Sequence, residues 1–412
     1  MTGRPSRQAV ADNIAWMGKG APLSIFYSRS RKNYYPNLVR VEPLDELTVR
    51  MTFAKPNVNQ LYNMMNFGSP IYAPSCLADD GSFTGTARGT GPFRIAENVQ
   101  DRYVVLERNE DYYGEKARAR RILIRTIPSP DVRFAALKAE EIMGVLDVSA
   151  MPPVLADELA QDERFAVSVS RSIMVRYLAL NGTRPPFNDV RMRRAVSLLL
   201  DRRLLADALY LGYAVPTTNL LSISSPFYKE FPAARDVAEA KRLAHEVLGD
   251  ARQEIVYCVN GADPIAKGEA ELIAYWLADI GLDVRIEALE APMLTARMRR
   301  GDYDIARSQQ GLPNGDPLYV FKGFFAPNGP RNKALSLGYD NPEVNALLAE
   351  LDTAADEGRR RALFDRLQEI GVEEQPVVPL YFDENIVVYN AARLTGYRAL
   401  RYGVSLAEVA WR

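Results

Sequence analysis

Residues 255–286 read IVYCVNGADPIAKGEAELIAYWLADIGLDVRI, and the reading of this stretch decides the fold. Ile255-Val-Tyr-Cys-Val-Asn260 is a short β-branched run of strand length. Asp263-Pro264 then offers a helix cap followed by a first helical residue whose φ is already set. Leu272, Ile273, Trp276, Leu277 and Ile280 fall on one helical stripe, Gly281 stops the helix, and Val284-Arg-Ile286 returns as a strand. Strand, helix and strand in this order make a βαβ unit, and the alternation predicts an α/β domain with a parallel sheet.

Outward from this unit the same alternation continues. A short helix over 292–300 leads into Tyr303-Asp-Ile-Ala306, and helices over 342–352 and 357–373 precede strands at 377–382 and 386–389. Upstream, Asn188-Asp-Val-Arg opens a helix with Val190, Ala195, Val196, Leu199 and Leu200 on neighbouring faces, capped by Asn188 or Asp189. Before it, the strand 174–181 ends in the turn Gly182-Thr-Arg-Pro-Pro186. Earlier still come a helix over 9–18, a strand over 47–53, strands at 103–108 and 122–127 joined through Asn109-Glu-Asp-Tyr-Tyr-Gly114, and helices over 129–146 and 152–163. Gly89-Thr-Gly-Pro92 lacks the Lys-Ser/Thr that ends a phosphate-binding loop, and its proline falls where a helix would open.

Composition narrows the function classes. Over 412 residues, 51 Lys and Arg balance 52 Asp and Glu, so no sequence-wide field draws the chain to nucleic acid or to an anionic membrane. Cys76 and Cys258 stand alone, without a neighbour able to form a metal or redox pair, and read as buried thiols. The single histidine, His245, lies in a predicted surface helix beginning at Ala238, which removes the imidazole needed for a Ser-His-Asp triad or a multi-histidine metal cage. No G-x-S-x-G elbow occurs. No enzymatic activity, cofactor or bound metal is expected. No run reaches the roughly 18 to 20 apolar residues that span a bilayer, and the first residues, Met1-Thr-Gly-Arg-Pro-Ser-Arg-Gln, do not form a signal peptide.

Seven short segments carry a resemblance: Leu44-Asp-Glu-Leu-Thr-Val-Arg50, Gly89-Thr-Gly-Pro-Phe93, Arg108-Asn-Glu-Asp-Tyr-Tyr-Gly114, Tyr177-Leu-Ala-Leu-Asn181, Pro186-Phe-Asn-Asp-Val-Arg-Met-Arg-Arg-Ala195, Asp201-Arg202 and Gln375-Pro-Val-Val-Pro-Leu-Tyr381. In this order they resemble the extracytoplasmic solute-binding proteins of ABC importers, the peptide-, nickel- and opine-binding family, across nearly the whole chain. The resemblance implies a two-lobed α/β periplasmic-binding-protein fold of the large cluster C type, with mixed sheets and a hinge of crossing strands at 177–181 and 380–388. It implies the remainder of an N-terminal subdomain over 1–88, lobe one over 89–182, lobe two over 183–379 and a return to lobe one over 380–412. Residues 89–128 are then the turn, hairpin and return strand of lobe one. Thr2-Gly-Arg-Pro resembles a point well inside the family pattern, so the expectation is that the chain is truncated at its N-terminus and that the parent protein is periplasmic or otherwise extracytoplasmic.

The implied function is capture of a small polar solute (a peptide, an opine or a metal chelate) for ABC permease subunits, by a monomer that binds no nucleic acid. The alternative is the ligand-sensing domain of a cytoplasmic transcriptional regulator with the same fold. Family peptide binders hold the peptide ammonium with an aspartate, and Pro313 stands in its place, leaving Asp316 as a substitute. The nickel-chelate branch has an arginine where residues 67–74 have none, and direct nickel ligation lacks its imidazole. Ligands of open α/β sheets sit beyond the carboxyl ends of strands. That placement selects Asn260, Ser308, Gln309 and Gln310, and the resemblance adds Asn181, Asn314 and Asp316. Tyr72 and Tyr177 are candidate stacking faces, with core packing as the other reading of each.

Overall fold

The computed structural model describes residues 7–17, 34–56, 60–64, 70–79, 82–147, 150–311, 317–401 and 403–412. They form two compact units, one of residues 1–170 and 385–412 and one of residues 171–384.

The first unit is built from small antiparallel sheets. Helix α1 (Arg7–Trp16) packs near the hairpin of β1 (Leu38–Pro43) and β2 (Val49–Phe53), and the short α2 spans Gln60–Met64. Ile14, Met17, Tyr35 and Leu38 make the small core there. A meander of β3 (Phe93–Val99), β4 (Tyr103–Arg108) and β5 (Arg121–Arg125) follows. This is the turn, hairpin and return strand read in residues 89–128, with β5 ending two residues before the expected Ile127. Helices α3 (Pro130–Lys138) and α4 (Pro153–Ala160) are each shorter than their patterns. The first ends as Glu140 enters the left-handed region at φ 58°, which breaks the repeating backbone conformation.

Strand β6 (Phe165–Leu180) carries the chain from the first unit into the second, and the chain returns within β11 (Val378–Asn390). Sequence reading found only the second half of β6 and divided β11 in two, because Asp383-Glu-Asn385 looks like a polar turn. In the structure Asp383 and Asn385 both have partners, so the polar residues stay in an unbroken strand.

The second unit runs through α5 (Val190–Leu199), α6 (Arg202–Tyr210), β7 (Ala214–Pro216), α7 (Val237–Leu248), β8 (Gln253–Asn260), α8 (Pro264–Leu277), β9 (Leu282–Leu289), α9 (Ala291–Arg300), β10 (Ile305–Gly311), α10 (Pro317–Phe325), α11 (Pro330–Ala334), α12 (Pro342–Leu351) and α13 (Glu357–Glu374). The βαβ unit forms as its pattern requires. Asp263 caps α8 by accepting from the Ala266 amide at 3.1 Å, Gly281 closes it at φ 80°, and β8 pairs with β9 in parallel. Asp189, not Asn188, caps α5.

The sheet order is β7-β11-β6-β10-β8-β9. β10 runs parallel to β8 but antiparallel to β6, so the sheet is mixed where the βαβ alternation alone predicted a parallel one. Its two faces follow from strand alternation. Leu178 and Leu180 of β6, Ile255, Tyr257 and Val259 of β8 and Ile305 of β10 pack against α5 to α8. Tyr177, Ala179, Cys258 and Ala306 face α10, α12 and α13. At about 25 cal/mol for each Å2 of apolar surface buried, these two layers are the main stabilising term of the unit.

Short strands β12 (Leu394–Thr395), β13 (Ala399–Leu400), β14 (Gly403–Val404) and β15 (Ala410–Trp411) complete the first unit.

Candidate functional site

The antiparallel register of β6 and β10 sets Ser308 opposite Tyr177, Gln309 opposite Arg176 and Gln310 opposite Val175. Alternation then divides the expected Ser-Gln-Gln segment between the two faces. On the α10 side, Tyr177 is fully buried, donates its hydroxyl to Ser308 Oγ at 3.2 Å and meets Phe324 edge-on at 5.4 Å between centroids. Burial raises the proton affinity of its phenol. Gln310 is also buried and donates Nε2 to the Gly311 carbonyl, while its Oε1 is enclosed without a hydrogen-bond donor among the described residues.

On the α6 and α8 side, Gln309 is exposed and accepts from Nη1 of Arg176. Arg176 also donates Nε to Oδ2 of Asp383 at 2.6 Å, so one guanidinium ties β6 to both of its neighbours, β10 and β11. The other carboxylate oxygen of Asp383 is enclosed without a donor among the described residues. Two residues before Gln309 on the same face, Arg307 donates Nη1 to Asp263 at 2.8 Å and reaches Tyr210 with Nη2 at 2.8 Å. Its Nε lies 2.9 Å from Oε1 of Glu269, whose Oε2 accepts from the hydroxyl of Tyr381.

Glu269 has no exposed surface. Burial, assisted by Asp383 and Asp263, outweighs the nearby Arg307 and Arg176 and pushes its carboxyl up to about 7. For Arg307, burial favours the neutral form, yet Glu269, Tyr210, Asp263 and Asp383 together hold the guanidinium more firmly charged than usual.

The remaining expected residues lie apart from this group. Asn260 ends β8 and accepts from the Ala262 amide at 3.1 Å, shaping the loop that delivers Asp263. Asn181 lies beyond the opposite end of the β6–β10 ladder, where its amide donates to the Gly301 and Tyr303 carbonyls at 2.9 and 3.0 Å. Tyr72 belongs to the first unit, where it contacts Phe83 edge-on at 5.2 Å and Asn13 clasps its backbone from both sides. Asn314, Asp316 and Pro313 lie outside the described residues. Sequence reasoning missed Arg176, Asp263 as more than a cap, Glu269, Arg307 and Asp383. The available signal was a lone glutamate on the apolar side of α8 and an arginine inside the β10 pattern, both one-sided oddities.

Chemically this arrangement can donate and accept hydrogen bonds and hold charge. His245 is exposed on α7, with Nδ1 at 3.0 Å from the Gly249 carbonyl. Among the described residues no group of three or more His, Cys, Asp or Glu could hold a metal ion, and no helix is long and apolar enough to cross a membrane. Cys258 is buried, and burial pushes its thiol up to about 11.

Residues 14–332 match the family described as bacterial extracellular solute-binding proteins, family 5 middle. Among curated proteins, the chain is 25% identical over 359 residues to the "Probable D,D-dipeptide-binding periplasmic protein DdpA" of Escherichia coli (strain K12), covering 84% of this chain and 68% of that one. It is 24% identical over 376 residues to the glutathione-binding protein GsiB of Salmonella paratyphi A, covering 89% and 73%. Among solved structures, NikA from Brucella suis in complex with Fe(III)-EDTA superimposes with a TM-score of 0.84 at 23% identity, over 99% of this chain and 84% of that one.

Proposed function

This chain belongs to the bacterial extracellular solute-binding proteins of family 5, the solute-binding components of ABC importers, and from that premise we propose its particular role. It captures a peptide, an opine or a metal chelate as a monomer in the periplasm or an equivalent extracytoplasmic space, and delivers it to ABC permease subunits without chemical change. Lobe one and lobe two of the expected division, with chain boundaries at residues 182 and 379, are the bodies that take part.

The observation that carries this reading is the polar row at the carboxyl end of β10, where Gln309, Arg176 and Asp383 are joined and only partly buried. Carboxyl ends of such strands are where α/β sheets meet ligands. Of the expected hydrogen-bonding residues, Gln309 lies in this row, Ser308 and Gln310 face the other side of the sheet and Asn260 ends β8, while Asn314 and Asp316 follow β10 in sequence. Tyr177 packs behind the sheet against Phe324, and Asn181 fixes the far end of β6. The regulator alternative is not favoured, since DdpA is a periplasmic protein by name.

Exporting the chain to the envelope of a bacterial host, purifying it without denaturant and weighing it by native mass spectrometry tests the role. The expected result is one small polar solute for each chain, identified after denaturation and restoring the melting temperature when added back. A chain that emerges empty, and whose melting temperature is unmoved by a casein digest, octopine or nickel–histidine, would overturn the reading.

A further inference from the structure

The second unit holds a cavity of about 600 Å3 toward the amino-terminal end of β10, away from Gln309. Arg184, Arg297, Arg300 and Asp302 supply its charged lining. Val256 and Met293 supply an apolar wall, on which Met293 is 56% exposed. The loop from Gly301 to Asp304, which joins α9 to β10, carries Asp302 into the lining. Asp304 immediately precedes β10, and Gln309 lies five residues further along the chain. At about 3.3 Å for each residue, the strand sets Asp304 about 16 Å from Gln309.

The turn that follows β6 fixes this loop. Asn181 serves the Gly301 and Tyr303 carbonyls, and Arg184 donates Nη2 to the Tyr303 carbonyl at 2.9 Å and Nε to Asp304 Oδ1 at 3.1 Å. Asp304 in turn accepts from the Val256 amide at 2.8 Å, which ties the loop to β8. Arg300 donates Nε to Asp302 at 2.8 Å, while Arg297 and Arg285 share the carboxylate of Glu287. Four guanidiniums therefore face three carboxylates, Asp302, Asp304 and Glu287. Basic side chains in a last helical turn complement its carbonyl end, which accounts for Arg297 and Arg300 on α9 but not for Arg184, from a different segment. The three lining arginines also keep donors in reserve. Nη1 of Arg184, Nη2 of Arg297 and both Nη atoms of Arg300 have no hydrogen-bond partner among the described residues. All three act at one point: the hydrogen bond from Arg300, with the charges of Arg300, Arg297 and Arg184, holds the Asp302 carboxyl below the usual carboxylate range.

We propose that this cavity is a second binding site, apart from the polar row of β10, for a small organic anion whose phosphate or paired carboxylates engage the unused nitrogens of Arg184, Arg297 and Arg300 while its apolar body lies against Val256 and Met293. The inference goes beyond solute capture and does not depend on it. Planar guanidinium forks match carboxylate and phosphate oxygens two at a time. An inorganic anion leaves the apolar wall wet, and a neutral apolar molecule covers guanidiniums without giving them acceptors. A molecule with both parts uses the whole lining, and the volume falls in the range of about 300 to 1,000 Å3 that small-molecule sites occupy. Its charge also supplies the acceptor that the fourth guanidinium lacks. Because Arg300 is 61% exposed, added salt screens the contact and lowers the affinity.

The full chain, isotope-labelled at its methionine methyl groups, is titrated at neutral pH with phenyl phosphate, phthalate, inorganic phosphate and benzyl alcohol and followed by NMR. Met293→Leu identifies the Met293 signal. Phenyl phosphate or phthalate is expected to shift that signal saturably, and the tighter of the two tells a phosphate ligand from a carboxylate one. Inorganic phosphate is expected to bind about tenfold more weakly or worse, and benzyl alcohol not at all. Arg300→Gln is expected to melt as the native chain does and to weaken the organic anion by about ten- to hundredfold, the worth of a charge-assisted contact. Arg300→Lys, which keeps the charge and loses the fork, is expected to fall between the two. No saturable shift from either organic anion, inorganic phosphate binding as tightly as phenyl phosphate, an equal shift from benzyl alcohol, or undiminished affinity in both Arg300 variants would each overturn the proposal. None of these results bears on solute capture, which the envelope experiment tests separately.

Discussion

Nε of Arg307 lies 2.9 Å from Oε1 of Glu269, and neither atom makes a hydrogen bond, because the pair is close but out of alignment. Charge alone couples them. The second Glu269 oxygen has a hydrogen bond, from Tyr381. A fully buried carboxylate held this way is expected to make stability depend on pH.

Glu269 has an ordinary value of 4.5 when the chain is unfolded and about 7 when folded. Below 4.5 both states carry the proton; between the two values only the folded state does, so stability falls as pH rises; above 7 the loss is complete. Glu269→Gln does not titrate. Relative to the native chain, E269Q is expected to gain about 2 kcal/mol of stability between about pH 5.5 and about pH 8, at 1.36 kcal/mol per unit. Urea denaturation at the two pH values measures this, and a pH-independent difference would mean that Glu269 stays ionised throughout.

Arg202 is buried without a carboxylate partner and donates to the Pro379 carbonyl, the Ser197 carbonyl and Ser197 Oγ, each at 2.8 Å. Burial alone pushes its guanidinium down to about 10. Arg202→Met leaves two buried carbonyls without donors and is expected to cost about 3 kcal/mol or more. The urea midpoint of the isolated variant reads the loss, and a change under about 1 kcal/mol would show that the carbonyls find other donors.

Asn181 separates a binding role from a structural one. Its amide serves two backbone carbonyls and its Oδ1 accepts from the amide and hydroxyl of Thr183. Asn181→Ala is expected to lower stability by about 2 to 3 kcal/mol while the folded fraction keeps its solute affinity. Lost affinity with an unchanged melting curve would place Asn181 at the solute instead.

Gln309 and Gln310 are adjacent in sequence but face opposite sides of the sheet, so their substitutions are expected to differ. Gln309→Ala frees a guanidinium nitrogen of Arg176 and is expected to weaken solute binding by about 0.5 to 1.5 kcal/mol at constant stability. Gln310→Ala removes a buried amide and is expected to act on the melting temperature first. Calorimetry with the copurified solute, run beside thermal denaturation of both variants, distinguishes them. Unchanged affinity in the double variant would take both residues out of the site.

Local periodicity and punctuation were enough to read much of this protein. The βαβ unit at 255–286, the cap at Asp263, a cap at Asn188 or Asp189, the stop at Gly281 and the meander within 89–128 follow from strand and helix periods together with residues whose backbone preferences are intrinsic. The family was legible too, because its markers are short local segments. Strand direction across the sheet was not, since β6 and β10 run antiparallel through a contact between segments about 130 residues apart, which no local period encodes. Nor was the charged cluster. Arg176 and Asp383 stand 207 positions apart, and Glu269 reads as one more charge on an amphipathic helix until α8 docks. Most elements and the family were legible in the chain's local residues, whereas the full lengths of β6 and β11, burial, register and the pairing of distant charges arose only when folding closed water away from Glu269 and set Arg307 beside it. Proton affinity depends on the surroundings that folding assembles, and those surroundings are non-local.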